Sequence, residues 1–131
     1  MKVFLVEDSA IIRERLVALL GTISRVETVG QAAGADEAVR GILDTRPDTV
    51  VLDIQLEQGT GFDVLRGLRE HDAKVDVLML TNHPSGPYRR TAERLGVRHI
   101  FDKTTEFERV RDILAARAAR QNSSCPEEVI S

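Results

Sequence analysis

Cysteine is nearly missing from the 131 residues of this chain: Cys125 stands alone, so no internal disulfide can form. That excludes a disulfide scaffold and a cysteine-rich zinc module, and it fits a reducing, cytoplasmic compartment. Tryptophan is absent, and no apolar run approaches the roughly 20 residues that cross a bilayer, so no membrane association is expected. Met1-Lys2-Val3-Phe4-Leu5-Val6 runs straight into an acidic pair and is too short for a signal peptide. Neither sign of charge dominates. Eighteen basic against 21 acidic residues give a net charge of −3, which argues against nucleic acid as a partner. The length leaves room for one domain at about 100–200 residues each. A hydrophobic share of 42% and a charged share of 30% suit a globular core.

What is present is an alternation. Short apolar runs at Val3 to Val6, Val26 to Gly30, Thr49 to Leu52, Val75 to Leu80 and Val97 to Phe101 show little polar interleaving. Strands covered on both faces read this way. Between them lie stretches with helical spacing. Ile12, Leu16, Leu19 and Leu20 form one stripe, Ala38, Ile42 and Leu43 a second, and Val64, Leu65 and Leu68 a third. Tyr88, Ala92 and Leu95 form a weaker fourth, and Phe107, Val110, Ile113 and Leu114 a fifth. Ser9 is placed to cap the first helix, and Gly21 and Gly96 to end the first and fourth. Pro47 closes the second, and Gly61 precedes the third. The pattern predicts an α/β fold, with β-α repeated five times as an open parallel sheet and helices on both faces. Residues 1–121 form the expected domain, and 122–131, aperiodic and rich in turn formers, a flexible C-terminal tail.

In such sheets ligands bind beyond the carboxyl ends of the strands. Glu7 and Asp8 follow the first run, Asp53 the third, Thr81 the fourth, and Asp102 and Lys103 the fifth. Parallel neighbours would bring these carboxylates, a hydroxyl and an ammonium to one rim. Clustered carboxylates repel one another without a cation between them. Oxygen-only ligands suit a hard divalent ion such as Mg²⁺, which takes one or two carboxylates, waters and phosphate oxygens. A carboxylate beside a metal, a hydroxyl and an ammonium can accept a phosphoryl group, a transfer governed by positioning and charge neutralisation. Taken singly, Asp8 could cap a helix, Asp53 could begin a turn, and Thr81 and Lys103 could be solvated ends of strands. Asp102 reads as a surface or capping residue.

The joint pattern resembles the receiver domain of two-component response regulators, stand-alone type, over about Met1 to Arg120. The matching pieces are Val3-Phe4-Leu5-Val6-Glu7-Asp8, Pro47 to Ile54 around Asp53, Gly61 eight positions after Asp53, Leu78-Met79-Leu80-Thr81 and Phe101-Asp102-Lys103. The resemblance implies a flavodoxin-like fold with strand order 2-1-3-4-5. It implies that Asp53 is the phosphoacceptor, taking its phosphoryl group from a sensor histidine kinase or a histidine phosphotransfer protein. Glu7, Asp8, Asp53 and the backbone carbonyl of Gln55 would hold Mg²⁺, for which Mn²⁺ can substitute. Asp8 would bind directly and Glu7 partly through water. Thr81 and Lys103 would each meet a phosphoryl oxygen. The output would be a downstream protein target or a homodimer, reached through the face of the fourth helix, fifth strand and fifth helix. Such a protein is not an enzyme with separate turnover; it catalyses its own phosphorylation and dephosphorylation. Lysine occurs only as Lys2, Lys74 and Lys103, which singles out Lys103 among many arginines.

Four positions depart from the family pattern. Glu57 stands where proline is frequent, and Asn82 where a small residue is usual. Ile100 replaces the switch aromatic, with His99 and Phe101 pointing elsewhere in a regular strand. Thr104 replaces the proline after the lysine. Gln55 and His83, each two residues after a site residue, are expected to lie over the site and set the lifetime of the aspartyl phosphate. His71 and His99 lack metal-ligand spacing. Arg89, Arg90 and Arg94 with Arg109, Arg111, Arg117 and Arg120 form a basic stripe, readable equally as a solvated surface or as a signalling face.

Other classes fit less well. A receiver fragment of a longer regulator would have the same residues. A haloacid-dehalogenase-type phosphatase needs an acid two residues after its nucleophile, where Gln55 stands. A dinucleotide site lacks its G-x-G-x-x-G. No helix-turn-helix segment remains for DNA once five β-α units are assigned.

Overall fold

The computed structural model describes residues 1–82, 86–103 and 105–130, with residues 121–130 described as backbone. Five strands alternate with five helices: β1 (Lys2–Val6), α1 (Ala10–Gly21), β2 (Glu27–Ala32), α2 (Ala35–Thr45), β3 (Thr49–Asp53), α3 (Gly61–Glu70), β4 (Asp76–Thr81), α4 (Pro87–Arg94), β5 (His99–Asp102) and α5 (Phe107–Ile130). The strands form one parallel sheet in the order β2-β1-β3-β4-β5, the flavodoxin-like order that the resemblance implies.

Side chains that alternate along a strand reach opposite faces, and the core divides accordingly. Phe4, Val6, Val50, Leu52, Met79 and Ile100 pack with Ala38 and Ile42 of α2, Val64, Leu65 and Leu68 of α3 and Ala92 of α4. Val3, Leu5, Val51, Leu78, Leu80 and Phe101 pack with Leu16 and Leu20 of α1 and Val110 and Leu114 of α5. All five residues of the central β3 are buried, whereas the edge strand β2 is mostly half-covered. Ile100 and Phe101 thus lie on opposite faces, as regular strand geometry predicts.

Boundaries differ from the sequence pattern where turns consume apolar residues. Val97 belongs to the turn after α4, its N–H donating to Ala92 O at 3.0 Å, so β5 starts at His99. β2 reaches Ala32 because Gln31 and Ala32 pair with Leu5 and Val6. α5 continues to Ile130, through most of the stretch read from sequence as a tail. A nucleated helix can propagate without an apolar stripe, although Pro126 within this span has no N–H to add to the ladder. Ser9 caps α1 as expected, its hydroxyl accepting from Ile12 N at 3.3 Å.

Candidate phosphoryl and metal site

Register sets the site. Val6 pairs with Leu52, so Glu7 and Asp53 emerge side by side from β1 and β3. Asp53 pairs with Leu80, and Thr81 pairs with Asp102, so the next residue, Lys103, completes the rim. Asp53 and Thr81 are the last residues of their strands rather than the first of the loops, and both are buried.

The carboxylates of Glu7, Asp8 and Asp53 offer oxygens that all lie within 4.8 Å of one another. Lys103 Nζ donates to Asp53 Oδ2 at 2.8 Å and lies 2.7 Å from Glu7 Oε1. The second contact is an ion pair outside hydrogen-bonding angles, so Glu7 Oε1 has no hydrogen-bond partner among the described residues although it is buried. Glu7 Oε2 accepts from Ser9 N at 2.9 Å. Arg13 Nη1 donates to the backbone carbonyls of Glu7 and Asp8 at 2.6 and 3.2 Å, which holds the turn between β1 and α1. Asp8 is exposed and is not the helix cap; that role belongs to Ser9.

Electrostatics follow from this crowding. Burial, with the neighbouring Asp8 hydrogen bond, pushes the Glu7 carboxyl from 4.5 to about 7, against the lowering effect of Lys103. Burial also raises Asp53, only partly opposed by Lys103. Burial alone would lower Lys103; the hydrogen bond to Asp53 and the charges of Asp53 and Glu7 outweigh it and raise the ammonium above 10.5. Three carboxyl groups stand beside one ammonium, so full ionisation would leave an excess of negative charge in a poorly solvated place. The donor set is all oxygen, the geometry is convergent, and one buried oxygen lacks a hydrogen bond. These features fit a hard divalent cation.

The loop from β3 to α3 is tightly fastened. Gln55 bridges Thr60, Gly61 N donates to Ile54 O at 2.7 Å, and Thr60 and Asp63 form a capping box. A Cβ at Gly61 would collide with the Asp53 carbonyl oxygen, so the helix can start this close to the strand only with glycine there. Glu57, at the position where proline is frequent, donates its N–H to Ala33 O at 2.9 Å, a bond proline could not make.

A cavity of about 130 Å³ opens over Asp53, lined by Asp8, Ile54, Gln55, Thr81, Asn82, Tyr88 and Lys103. Sequence reasoning brings Asp8, Asp53, Gln55, Thr81, Asn82 and Lys103 here. It misses Tyr88, assigned to an apolar helix stripe. The signal available was its place early in the fourth helix, just past the loop that leaves Thr81. His83 and Thr104 lie outside the described residues. Asp102 caps the following turn, its Oδ1 accepting from Thr105 N at 3.2 Å. His99 stacks on Phe101, and His71 Nδ1 lies 2.9 Å from Gly67 O; neither joins the acidic cluster.

The family model of the response regulator receiver domain matches residues 3–115. The chain belongs to that family. Receiver domains serve two-component signalling and bind Mg²⁺ at an acidic pocket, and here Glu7, Asp8 and Asp53 form an acidic cluster that could hold a metal ion. The DNA-binding transcriptional activator DevR/DosR of Mycobacterium tuberculosis is 38% identical over 85 residues, covering 65% of this chain and 39% of that protein. The response regulator VraR of Staphylococcus aureus is 25% identical over 130 residues, covering 99% of this chain and 62% of its own. The chain therefore spans less than two thirds of either relative. Among solved structures, a LuxR-family two-component response regulator from Aurantimonas superposes with a TM-score of 0.81 at 28% identity, covering 90% of this chain and 84% of that one. The response regulator domain of Thermotoga maritima CheB superposes at 0.79 and 23% identity, covering 92% and 94%, which shows the fold. No described helix of this receiver domain is long and apolar enough to cross a membrane.

Proposed function

We propose that the chain is a response regulator that accepts a phosphoryl group on Asp53 from a sensor histidine kinase or a histidine phosphotransfer protein. The observation that carries this reading is the Lys103 ammonium held on Asp53 Oδ2, beside Glu7 and Asp8, under a cavity of phosphoryl size. Glu7, Asp8, Asp53 and the Gln55 carbonyl would hold Mg²⁺. Bound there, the ion supplies positive charge for the phosphoryl oxygens. An Asp53 carboxylate oxygen attacks phosphorus, the new O–P bond forms, and the donor's P–N bond breaks as the imidazole leaves and takes up a proton. Lys103 would pair with one phosphoryl oxygen, and the Thr81 hydroxyl would donate to another. Gln55 and His83 would set how readily water reaches the product.

The protein works in the cytoplasm on this reading, residues 1–121 being the receiver and 122–131 lying beyond it. It acts through protein contacts, a target or a second copy meeting the α4-β5-α5 face, and it has no separate catalytic turnover. On that face Arg89, Arg109, Arg111 and Arg117 each meet a carboxylate, Glu93, Glu106, Asp112 and Asp76 respectively. That pairing favours a balanced surface over a bare basic patch. The greater length of the relatives favours a second reading, a receiver joined to an output domain; the mass of the native protein separates the two. The test of acceptor chemistry is incubation with acetyl phosphate and Mg²⁺, followed by intact mass. The wild type gains one phosphoryl group and Asp53→Asn gains none; a gain in both refutes the assignment.

A further inference from the structure

One wall of the cavity takes no part in the chemistry just described. Tyr88 closes it on the α4 side, and it is the one aromatic ring among the described residues that line it. The ring also stacks on Phe62, with centroids 6.3 Å apart and planes 14° from parallel. Phe62 sits in the first turn of α3, which the capping box and Gly61 tie to the acceptor strand. The tyrosine ring therefore stands between a fixed element and a lightly held one. α4 spans eight residues, buries only Ala92, and starts from Gly86 without a side-chain cap. Gly86 has φ +69°, and a Cβ there would meet nothing within 4 Å among the described residues. Few buried apolar contacts mark a segment that moves at low cost.

We infer that Tyr88 is a positioning residue coupling occupancy of the Asp53 site to α4. A phosphoryl group on Asp53 brings three oxygens into a cavity of about 130 Å³. Asp53 and Thr81 line it from the buried ends of β3 and β4, and Ile54 and Gln55 from the fastened loop after β3. The Tyr88 wall belongs to α4, so it yields first: the ring leaves its seat on Phe62 and the first turn of α4 follows. This rests on the acceptor role of Asp53.

The chain contains a single tyrosine and no tryptophan, so its tyrosine emission reports this ring alone. At constant Mg²⁺, acetyl phosphate should change that emission in the wild type and leave Asp53→Asn unchanged, with intact mass measured on the same samples. Hydrogen exchange over residues 87–94 should change on phosphorylation. In Tyr88→Ala that change should shrink about twofold or more, while Tyr88→Phe, which keeps the ring, retains it. Far-UV circular dichroism establishes that both variants are folded. Mass gain with unchanged emission, or with an equal exchange response in Tyr88→Ala, overturns the coupling alone. A phenylalanine variant as damaged as the alanine variant also overturns it. No mass gain in the wild type overturns the acceptor role and the coupling together.

Discussion

Between β3 and α3 the chain is fastened at nearly every step, whereas α4, beyond β4, begins from an uncapped glycine and buries a single side chain. The first loop carries the acceptor. Gln55 bridges Thr60, Glu57 binds Ala33, and Gln58 takes the amides of Ala35 and Asp36 through its carbonyl and side chain at 2.7 and 3.0 Å. α4 carries Tyr88 over the same cavity. A nucleophile gains from being held in one place, since positioning supplies much of the rate. An element that must report occupancy gains from having little to lose when it shifts. The contrast teaches that rigidity and mobility are assigned to opposite sides of one cavity by local turn chemistry.

The sharpest way to break this contrast is to loosen the fixed side. Gly61→Ala forces a methyl group onto the Asp53 carbonyl, and it should cost about 3 kcal/mol of unfolding free energy in urea. A loss below about 0.5 kcal/mol would mean that the loop yields as easily as the other side.

Charge offers the next largest effect. The Glu7 carboxyl titrates at about 7 in the folded chain and at 4.5 in its ordinary state. Between those values the folded chain holds a proton that the unfolded chain has released, so stability from this group falls as pH rises through the window. Asp53 shifts in the same direction. Lowered Glu106 has the opposite sign, but it acts below 4.5. Without metal, the thermal midpoint should therefore decline from pH 5 to about 8, and Glu7→Gln should flatten that decline. Mg²⁺ competes with the proton, so its affinity should rise by up to about tenfold per pH unit below about 7. Calorimetric titration at several pH values checks this; a pH-independent affinity contradicts the buried-carboxylate site.

Smaller changes sharpen the same comparison. Thr60→Ala removes the cap of α3 and should cost about 1 kcal/mol by chemical denaturation. Arg89→Ala, on exposed α4, removes one pair with Glu93 and should cost no more than about 0.5 kcal/mol. If Arg89→Ala costs more than Thr60→Ala, the two sides are not built as described.

Much of this was legible in the sequence because parallel sheets bury both strand faces. The runs around Leu5, Val51 and Leu78 stand out, and the polar residues that end them mark the rim. Asp53, Thr81 and Lys103 were legible for the same reason. Tyr88 was not: its spacing with Ala92 and Leu95 suits a core stripe, and only the path of the chain after Thr81 turns its ring toward the cavity. The bond from the Glu57 amide was equally hidden, since any residue but proline would make it and its partner, Ala33, lies far away in sequence. The length of β2 came from pairing with β1 rather than from its own composition, which is why Gln31 is a strand residue.

The most direct measurement of the central claim traps the product. The chain is treated with acetyl phosphate and Mg²⁺, reduced with borohydride, digested, and read by peptide mass spectrometry. Borohydride converts an aspartyl phosphate to homoserine, so the account predicts homoserine at position 53. Homoserine at position 8, or reduction at no carboxylate of the rim, would contradict it.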